Sequence, residues 1–231
     1  IKLEIFKVGS GELTNIPLQT HIAKKKFPTI ISTGMSTFKE VSHTFNTVKK
    51  INKNIALTQC TSAYPCNPKI SDISIVREYI NKFKVVSGLS DHTSSIYTSI
   101  GAIAYGARII EKHFTLSRSQ GGVDSEFSLE PNEMQELITH CKNTKKAMGT
   151  GEFKRKNLEL ENKIFRRSLY FVEDIMSGEI IKSHHIRRIR PGYGLAPRFL
   201  NKIIGKRLKK DVLKGERVTA EIVGLIIDED N

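Results

Sequence analysis

The sequence predicts an α/β protein of repeated β/α units on a parallel sheet, followed by a small β-rich domain. Short β-branched runs recur at intervals of about 25 to 29 residues, the length of one βαβ step, and amphipathic helical patterns lie between them. After Gly149 the composition changes and an internal repeat follows. With 231 residues and 39% hydrophobic content, the chain is long enough to bury a substantial core.

Five apolar runs are the predicted strands of the sheet. They cover residues 4–8, 29–31, 55–57, 84–86 and 108–110. Parallel strands need a crossover between them, and the helical pattern after each run supplies one. The runs therefore predict five consecutive β/α units within residues 1–149.

The helices between the strands are predicted from capping residues and apolar spacing. Thr37 and Glu40 form a capping box at the start of one helix. Gly106 is placed to end a second helix, and Pro131 and Gly149 to open and end a third. The predicted apolar faces are Val41, Phe45 and Val48 in the first, Ile96, Ile100 and Ile103 in the second, and Met134, Leu137, Ile138, Cys141 and Met148 in the third.

Small polar or ionisable residues follow every predicted strand. In parallel β/α folds these carboxyl ends converge on one pocket, where binding and catalysis take place. His92 in GLSDHT and His113 in EKHFT each follow a strand, beside Asp91 or close to Glu111. The two imidazoles should therefore face one mouth and hold a divalent ion together with oxygen ligands. Such a donor set suits Mn²⁺ better than a closed zinc site.

Composition excludes several classes of partner. The net charge of +13 is spread along the chain, without a nucleic-acid-binding motif and with only 7% aromatic residues, so nucleic acid is not expected. The three cysteines Cys60, Cys66 and Cys141 form no CxxC pair, which predicts reduced structural thiols. The sequence has no apolar run long enough to span a membrane and no export signal, which favours a cytoplasmic protein.

The last third of the chain predicts a linker and a small domain. Residues 150–163 are polar and lack a sustained apolar face. Residues 174–181 match residues 211–218, each copy having apolar residues on both sides of a glycine turn, which predicts a β domain with internal pseudo-symmetry. Between the copies, Arg190 lies in the loop RIRPGYG, where its guanidinium suits a carboxylate, phosphate or amide oxygen. The alternative is a solvated loop arginine.

Eight segments, in order along the chain, resemble the sialic acid synthase family, the nonulosonate synthases that condense phosphoenolpyruvate with an amino sugar. They are FKVGSGE, ISTGM, CTSAYP, GLSDHT, EKHFT, GGVDSEFSLEP, FRRSL and RIRPGYG. The resemblance covers essentially the whole chain. It implies a (β/α)8 TIM barrel followed by an antifreeze-like SAF domain of β-clip type. In this family that domain is exchanged in a homodimer, so that its arginine loop closes the partner's active site.

The resemblance also implies that this chain holds the last five β/α units of the barrel and lacks the first three. The sequence starts at Ile1 rather than Met, as expected of a chain that begins inside a longer protein. The missing strands would supply an acidic catalytic residue and a lysine that contacts phosphoenolpyruvate. The expected organisation is then the C-terminal part of the barrel at residues 1–149, a linker at 150–163 and the SAF domain at 164–231.

Site residues follow from matching these segments to the family. His92 and His113 are expected to bind Mn²⁺, with Mg²⁺ or Co²⁺ as alternatives. Glu12 and Asp124 are the expected catalytic residues, which bind or polarise the sugar and the attacking water. The expected substrate-binding residues are Lys7, Ser10, Ser32, Ser62 and Ser90 for phosphoenolpyruvate, and Phe165 and Arg190 for the sugar. The family often has asparagine where Ser62 stands.

The amino sugar is not determined by the sequence. KVGSGE resembles the N-acetylneuraminate and legionaminate branch, whereas GGVDSEFSLEP, LYFVEDI and RPGYGLAP resemble pseudaminate synthases. N-acetylmannosamine, giving N-acetylneuraminate and phosphate, is slightly favoured over a diacetamido-trideoxyhexose. A non-enzymatic alternative also follows from the missing strands, namely a carbohydrate-binding or assembly remnant.

Overall fold

The computed structural model describes residues 4–154 and 156–226, and the chain divides into two compact units, residues 1–151 and 152–231. The N-terminal unit contains five strands, β1 Phe6–Val8, β2 Thr29–Ser32, β3 Ile55–Cys60, β4 Val86–Asp91 and β5 Ile109–Lys112. Its helices are α1 Ile16–Lys24, α2 Phe38–Lys49, α3 Ile75–Phe83, α4 Tyr97–Ala104 and α5 Pro131–Ala147. The strands are parallel and in chain order, as the sequence predicts.

The five-stranded sheet is curled into a half-barrel. In a flat sheet the outer strands would lie about 19 Å apart, since four strand spacings separate them. Lys7 of β1 and Glu111 of β5 nevertheless form an ion pair with Nζ and Oε2 2.9 Å apart. The curl therefore brings the two outer strands to face each other across the concave side.

Strand boundaries differ from the predicted ones, most clearly at the fourth strand. Lys84 belongs to the end of α3, where it adopts a left-handed conformation with φ of 54°, and β4 starts only at Val86. The strand then continues through small polar residues that were predicted to lie beyond it. Ser87 Oγ donates to the Leu57 carbonyl at 3.0 Å, and a Cβ on Gly88 would lie 2.3 Å from the Ile109 carbonyl oxygen. Small side chains are thus what the close spacing of β3, β4 and β5 requires.

The first two predicted helices have the expected caps and ends. The Thr37 side chain accepts from the Glu40 amide, while the Glu40 carboxylate accepts from the Thr37 amide at 2.7 Å. Gly106 has φ of 103°, a conformation that favours glycine, and follows α4. The apolar face of α2 lies in the main core of this unit with Val8, Leu13, Ile31, Leu57 and Phe83.

The predicted apolar face of α5 is only partly covered. The helix begins at Pro131 as expected, but of its face only Leu137 is buried, and Ile138 and Met148 are 40% and 38% exposed. This face lines an open groove of about 600 Å³ with Ile109 and Ile110 of the edge strand β5. Within the described sheet no strand lies beyond β5.

The C-terminal unit is a small β-rich fold with its own core. Its strands β6, Ser168–Phe171, and β7, Ile186–Ile189, are antiparallel. The short helix α6, Asn157–Glu161, lies within the predicted linker, and α7 covers Leu200–Ile203. The core consists of Leu169, Phe171, Ile175, Ile181, Ile186, Leu195, Phe199, Ile203, Leu208, Val212, Val218, Ile222 and Val223.

The internal repeat forms a pseudo-symmetric pair of turns. Asp174 Oδ1 accepts from the Lys214 amide at 2.7 Å, and its repeat equivalent Asp211 accepts from the Ser177 amide at 2.6 Å. Ile175 and Val212 form an antiparallel bridge at the centre. The predicted pseudo-symmetry is confirmed. Each copy is, however, a turn flanked by single bridges rather than by strands, since one bridge joins the two copies and each copy has a further bridge to a residue outside the repeat.

Candidate active site at the strand ends

Two histidine rings lie together at the carboxyl ends of adjacent strands. β4 and β5 pair in parallel with Asp91 opposite Lys112, so the residues that follow, His92 and His113, come side by side. Their ring centroids are 5.2 Å apart. His92 is buried and His113 is partly exposed, so the pair reaches from the interior to the surface of the mouth.

The hydrogen bonding of His92 fits a metal ligand. His92 Nδ1 lies 3.0 Å from the Thr61 carbonyl oxygen, and because a carbonyl can only accept, this nitrogen carries the proton. In the neutral ring Nε2 then has a lone pair, the arrangement that metal-binding histidines adopt. His113 Nδ1 lies 3.7 Å from Asp124 Oδ2, beyond hydrogen-bonding distance, so this carboxylate is a charged neighbour of the second ring.

The two imidazoles have different pKa shifts. Burial lowers the pKa of His92, but its hydrogen bonds to Cys60 and to the Thr61 carbonyl raise it, and the net pKa lies above its ordinary value. Burial lowers the pKa of His113, and the neighbouring charge of His92 lowers it further. His113 is therefore the more readily neutral ring, the form that coordinates a cation.

Three strand ends meet at Gly34. The Gly34 amide donates to Ser10 Oγ at 2.9 Å. A Cβ at this position would lie 2.3 Å from Ser62 Oγ, 2.8 Å from Ser10 Oγ and 3.1 Å from Cys60 Sγ. Only glycine allows these side chains to approach so closely. Two of the serines expected to bind phosphoenolpyruvate are thus held together at the mouth.

The other expected site residues of the N-terminal unit, including Lys7, Ser32 and Glu12, make separate ion pairs and hydrogen bonds. Lys7 forms the ion pair with Glu111 inside the half-barrel. Ser32 Oγ and Thr58 Oγ1 are hydrogen-bonded at 2.8 Å in the interior, and Ser90 is also buried. Glu12 Oε2 accepts from Asn15 Nδ2 at 2.7 Å within its own turn. Among the described residues, no hydrogen bond or ion pair joins Glu12 to the histidine pair.

Phe165 and Arg190 belong to the C-terminal unit, and both side chains are exposed. The loop that carries Arg190 is fixed at the next residue, because Ser168 Oγ and Tyr170 Oη both donate to the Pro191 carbonyl, at 2.8 and 3.0 Å. A Cβ on Gly192 would lie 2.7 Å from the Lys163 carbonyl oxygen. A rigid backbone therefore displays the guanidinium to its surroundings.

Three further side chains at the mouth were not identified from the sequence. The ring centroid of Tyr64 lies 4.2 Å from that of His92, and the Phe127 ring lies 4.9 Å from that of His113. Cys60 Sγ is 4.0 Å from His92 Nδ1. Burial raises the pKa of the Cys60 thiol, but hydrogen bonds with His92, Ser10 and Ser62 bring it below its ordinary value. Cys60 and Tyr64 lie in the segment CTSAYP, and Phe127 lies in GGVDSEFSLEP. The resemblance of these segments to the family was therefore the sequence feature that could have identified the three residues.

The two residues that precede the histidines, Asp91 and Lys112, form a buried ion pair. Lys112 Nζ lies 3.1 Å from Asp91 Oδ2, with side-chain exposures of 2% and 1%. Ser99 Oγ donates to the same carboxylate at 2.6 Å, and the Lys112 ammonium donates to the carbonyls of Thr93 and Ser95. Burial lowers the pKa of Lys112, and Asp91 opposes that shift. The residue before each histidine is thereby tied to the other strand.

The chain is similar to several synthases of nonulosonic acids. It is 39% identical over 219 residues to N,N'-diacetyllegionaminic acid synthase of Campylobacter jejuni, covering 91% of this chain and 66% of that protein. It is 35% identical over 212 residues to pseudaminic acid synthase of Campylobacter jejuni, covering 91% and 62%. The chain thus spans 62% to 66% of the length of these curated relatives.

A solved structure shows the same relationship. The N-acetylneuraminic acid (sialic acid) synthetase of Leptospira borgpetersenii serovar Hardjo-bovis, in complex with citrate, superposes with a TM-score of 0.67 at 33% identity, over 71% of this chain and 57% of that chain. Residues 1–153 match the NeuB family and residues 166–223 match the SAF domain. The chain therefore belongs to the NeuB family and carries a C-terminal SAF domain.

Proposed function

We propose that this chain forms the mouth of a cytoplasmic nonulosonic acid synthase, which condenses phosphoenolpyruvate with an amino-sugar aldehyde and releases phosphate. The observation that carries the proposal is the histidine pair, with ring centroids 5.2 Å apart and the Nδ1 proton of His92 directed to a carbonyl. Membership of the NeuB family supports the reaction class.

Each group at the mouth has a task in this reaction. The hydroxyls of Ser10 and Ser62 and the ammonium of Lys7 donate to the carboxylate and phosphate oxygens of phosphoenolpyruvate. His92 and His113 would hold Mn²⁺, or alternatively Mg²⁺ or Co²⁺, and this ion would supply Lewis-acid polarisation of the aldehyde oxygen. Asp124, 3.7 Å from His113, and Glu12 bind the sugar and take up or return protons.

The bonds change in the following order. Carbon 3 of phosphoenolpyruvate attacks the aldehyde carbon, and the aldehyde oxygen takes up a proton as the new carbon–carbon bond forms. Water then adds at carbon 2 and loses a proton to a carboxylate at the mouth. Finally the bond between carbon 2 and the phosphate oxygen breaks, phosphate leaves, and the remaining hydroxyl at carbon 2 loses its proton to become the ketone.

The proposal extends to the rest of the barrel and to a second chain. The five described strands would be the last five of eight, since β1 and β5 are the edges of the described sheet and the chain spans 62% to 66% of the curated relatives. Three further β/α units would then complete the mouth. Arg190 and Phe165, exposed on the SAF domain, would contact the sugar in the partner's mouth within a homodimer.

The six-carbon substrate is the least constrained part. The sequence slightly favours N-acetylmannosamine, whereas the relatives named for pseudaminic and legionaminic acid support a diacetamido-trideoxyhexose equally. Both sugars present an aldehyde and an N-acyl group, so the chemistry at the histidine pair is the same for either. The choice depends on contacts to the remaining substituents.

The test is phosphate release from phosphoenolpyruvate by the protein in its natural reading frame, including any in-frame segment that the gene places before Ile1. We expect release only when both a divalent ion and an amino sugar are present, and the sugar that supports it identifies the substrate. Equal release without any sugar, or release unaffected by EDTA, would contradict the mechanism. Sugar binding without release under any condition would instead favour the non-catalytic alternative.

A further inference from the structure

A second group of possible metal ligands lies on the C-terminal unit. In the described parts of the chain, three histidine, cysteine or carboxylate side chains have ligand atoms within 4.8 Å of one another at one place only, formed by Glu173, His184 and His185. We propose that these three residues, the SAF histidine cluster, form a surface site for Zn²⁺. This inference is independent of the proposed reaction, which uses none of the three side chains.

The fold itself brings the three side chains together. In the antiparallel pair β6–β7, Phe171 lies opposite Ile186, and the Val172 amide donates to the His185 carbonyl at 2.9 Å, which extends the ladder by one pair. Glu173 and His184 are therefore the next opposite residues, a spacing at which cross-strand side chains meet. His184 Nε2 lies 4.0 Å from Glu173 Oε2.

A tight turn adds the third ligand. Neighbouring residues of a strand point to opposite faces, but Ser183–His185 is one turn of 3₁₀ helix. The rings of His184 and His185 consequently lie edge to face with centroids 4.3 Å apart. Two adjacent histidines thus converge on one carboxylate because the backbone changes conformation at this point.

The donor set is that of an open zinc site. Two imidazole nitrogens and one carboxylate oxygen leave a fourth position for water. Ligand atoms held at about 2.0 to 2.2 Å from a tetrahedral ion lie about 3.3 to 3.6 Å apart, so ligand atoms that now lie within 4.8 Å of one another must approach by roughly 1 Å. The side chains of Glu173 and His184 are about half exposed and can make this adjustment.

The protonation and charge around the cluster are compatible with a cation. His185 Nδ1 accepts from the Lys182 amide at 3.2 Å, and zinc binding would replace this hydrogen bond. Glu173 and Glu179 place negative charge near this ring, and Lys182 places positive charge.

Zinc titration of the full chain tests the site by calorimetry. We expect His184→Ala, and separately Glu173→Gln, to weaken one equivalent of Zn²⁺ by more than about tenfold or to remove it. His21→Ala, an exposed histidine on α1, is the matched control and should leave every equivalent unchanged. His113→Ala would alter only zinc bound at the mouth, so the two sites are distinguishable.

Thermal unfolding gives a second measurement that does not depend on counting equivalents. Because bound metal stabilises the folded state by mass action, Zn²⁺ should raise the unfolding temperature of the wild-type chain more than that of His184→Ala. The proposal is overturned if the wild-type chain binds no Zn²⁺, or if neither His184→Ala nor Glu173→Gln changes its affinity or its stabilisation by zinc.

Discussion

At the scale of single residues, the two histidines of the mouth differ in what else they do. His92 is buried, and its Nδ1 bonds to the carbonyl of Thr61, so the ring is part of the interior. His113 is partly exposed, and its recorded neighbours are Asp124 and aromatic rings at the mouth. Replacing His113 should therefore disturb the packing of the interior less than replacing His92, so a change in activity can be assigned to the chemistry.

His113→Ala should lower kcat by about a hundredfold or more while leaving the KM for phosphoenolpyruvate within a few-fold of wild type. The reason is that a ligand to the proposed ion stabilises charge that develops on the aldehyde oxygen during carbon–carbon bond formation. Steady-state phosphate release at saturating sugar and metal measures both constants. His43→Ala, an exposed histidine on α2, is the control and should not change them. A rise in KM with unchanged kcat would contradict this role for His113.

Lys112→Met should destabilise the N-terminal unit by about 3 to 5 kcal/mol, because it leaves the carboxylate of Asp91 buried without its counter-ion. Urea unfolding followed by circular dichroism gives the change. The double variant Asp91→Asn with Lys112→Met removes both charges and should regain a large part of the loss. A double variant no more stable than the single one would show that the ion pair is not the cause.

The sequence alone located the histidines but not their surroundings. His92 and His113 could be predicted because each follows an apolar run, and parallel strands put their carboxyl ends at one edge. Tyr64 and Phe127 reach the same mouth from loops, whose paths no periodicity describes. Lys112 reads as an exposed charge, and only the register of β4 and β5 places its ammonium against Asp91.

At the scale of elements, the segment that carries Asp124 is fixed to the start of α5. Arg118 binds Glu133 through two nitrogens, with Nη1–Oε2 of 2.5 Å and Nη2–Oε1 of 3.0 Å. The Arg118 amide also donates to Glu130 at 2.8 Å. The hydrogen bond from Arg118 lowers the pKa of Glu133. This clamp closes the loop between β5 and α5 around the carboxylate at the mouth.

The clamp has a predictable pH dependence. Since the folded-state pKa of Glu133 lies below its unfolded value, about 4.3, the stabilisation is complete above that pH and disappears as the pH falls through the folded pKa. Arg118→Leu should lower the unfolding temperature by at most about 2 to 4 °C at pH 7, because the pair is partly exposed. Below about pH 4 the two proteins should unfold at more nearly equal temperatures.

Arg77→Leu is the matched control for this experiment. Arg77 donates to the Ala104 carbonyl at 2.9 Å, which does not titrate. Its effect on the unfolding temperature should therefore stay the same over the pH range in which the Arg118→Leu difference shrinks. A constant difference for Arg118→Leu as well would remove Glu133 as the source of its stabilisation.

Helix caps, sheet order and the internal repeat could be predicted because they depend on local residue patterns. Thr37 with Glu40 and the glycine at 106 form the expected caps, and the aspartates at 174 and 211 form equivalent bonds. The predicted ends of elements were wrong where tertiary packing, and not the local sequence, determines where the element ends. Val86–Asp91 continues as a strand because small polar residues fit between close neighbours, a property of the sheet rather than of the segment.

At the scale of the whole molecule, the proposed function joins groups from both units. The histidine pair lies in the N-terminal unit and Arg190 in the C-terminal one. The Arg190 loop is held by its own unit through Ser168 and Tyr170, so the guanidinium is displayed without help from elsewhere. The loop could contact the mouth of its own chain or that of a partner chain. Co-expression of two variants distinguishes these two arrangements.

Mixing two impaired variants should restore activity if the SAF domain is exchanged. His113→Ala removes the proposed chemistry, and Arg190→Ala should raise mainly the KM for the sugar, because a lid contact made before and during the reaction contributes uniform binding. In a mixed dimer with exchange, the mouth that retains His113 receives the partner subunit's Arg190 and is complete. Without exchange, each mouth keeps one defect. Phosphate release is therefore measured at sugar concentrations well below the KM of Arg190→Ala, after the two variants are co-expressed. Activity above the sum of the separate variants supports exchange, whereas activity equal to that sum means that Arg190 serves the mouth of its own chain or none.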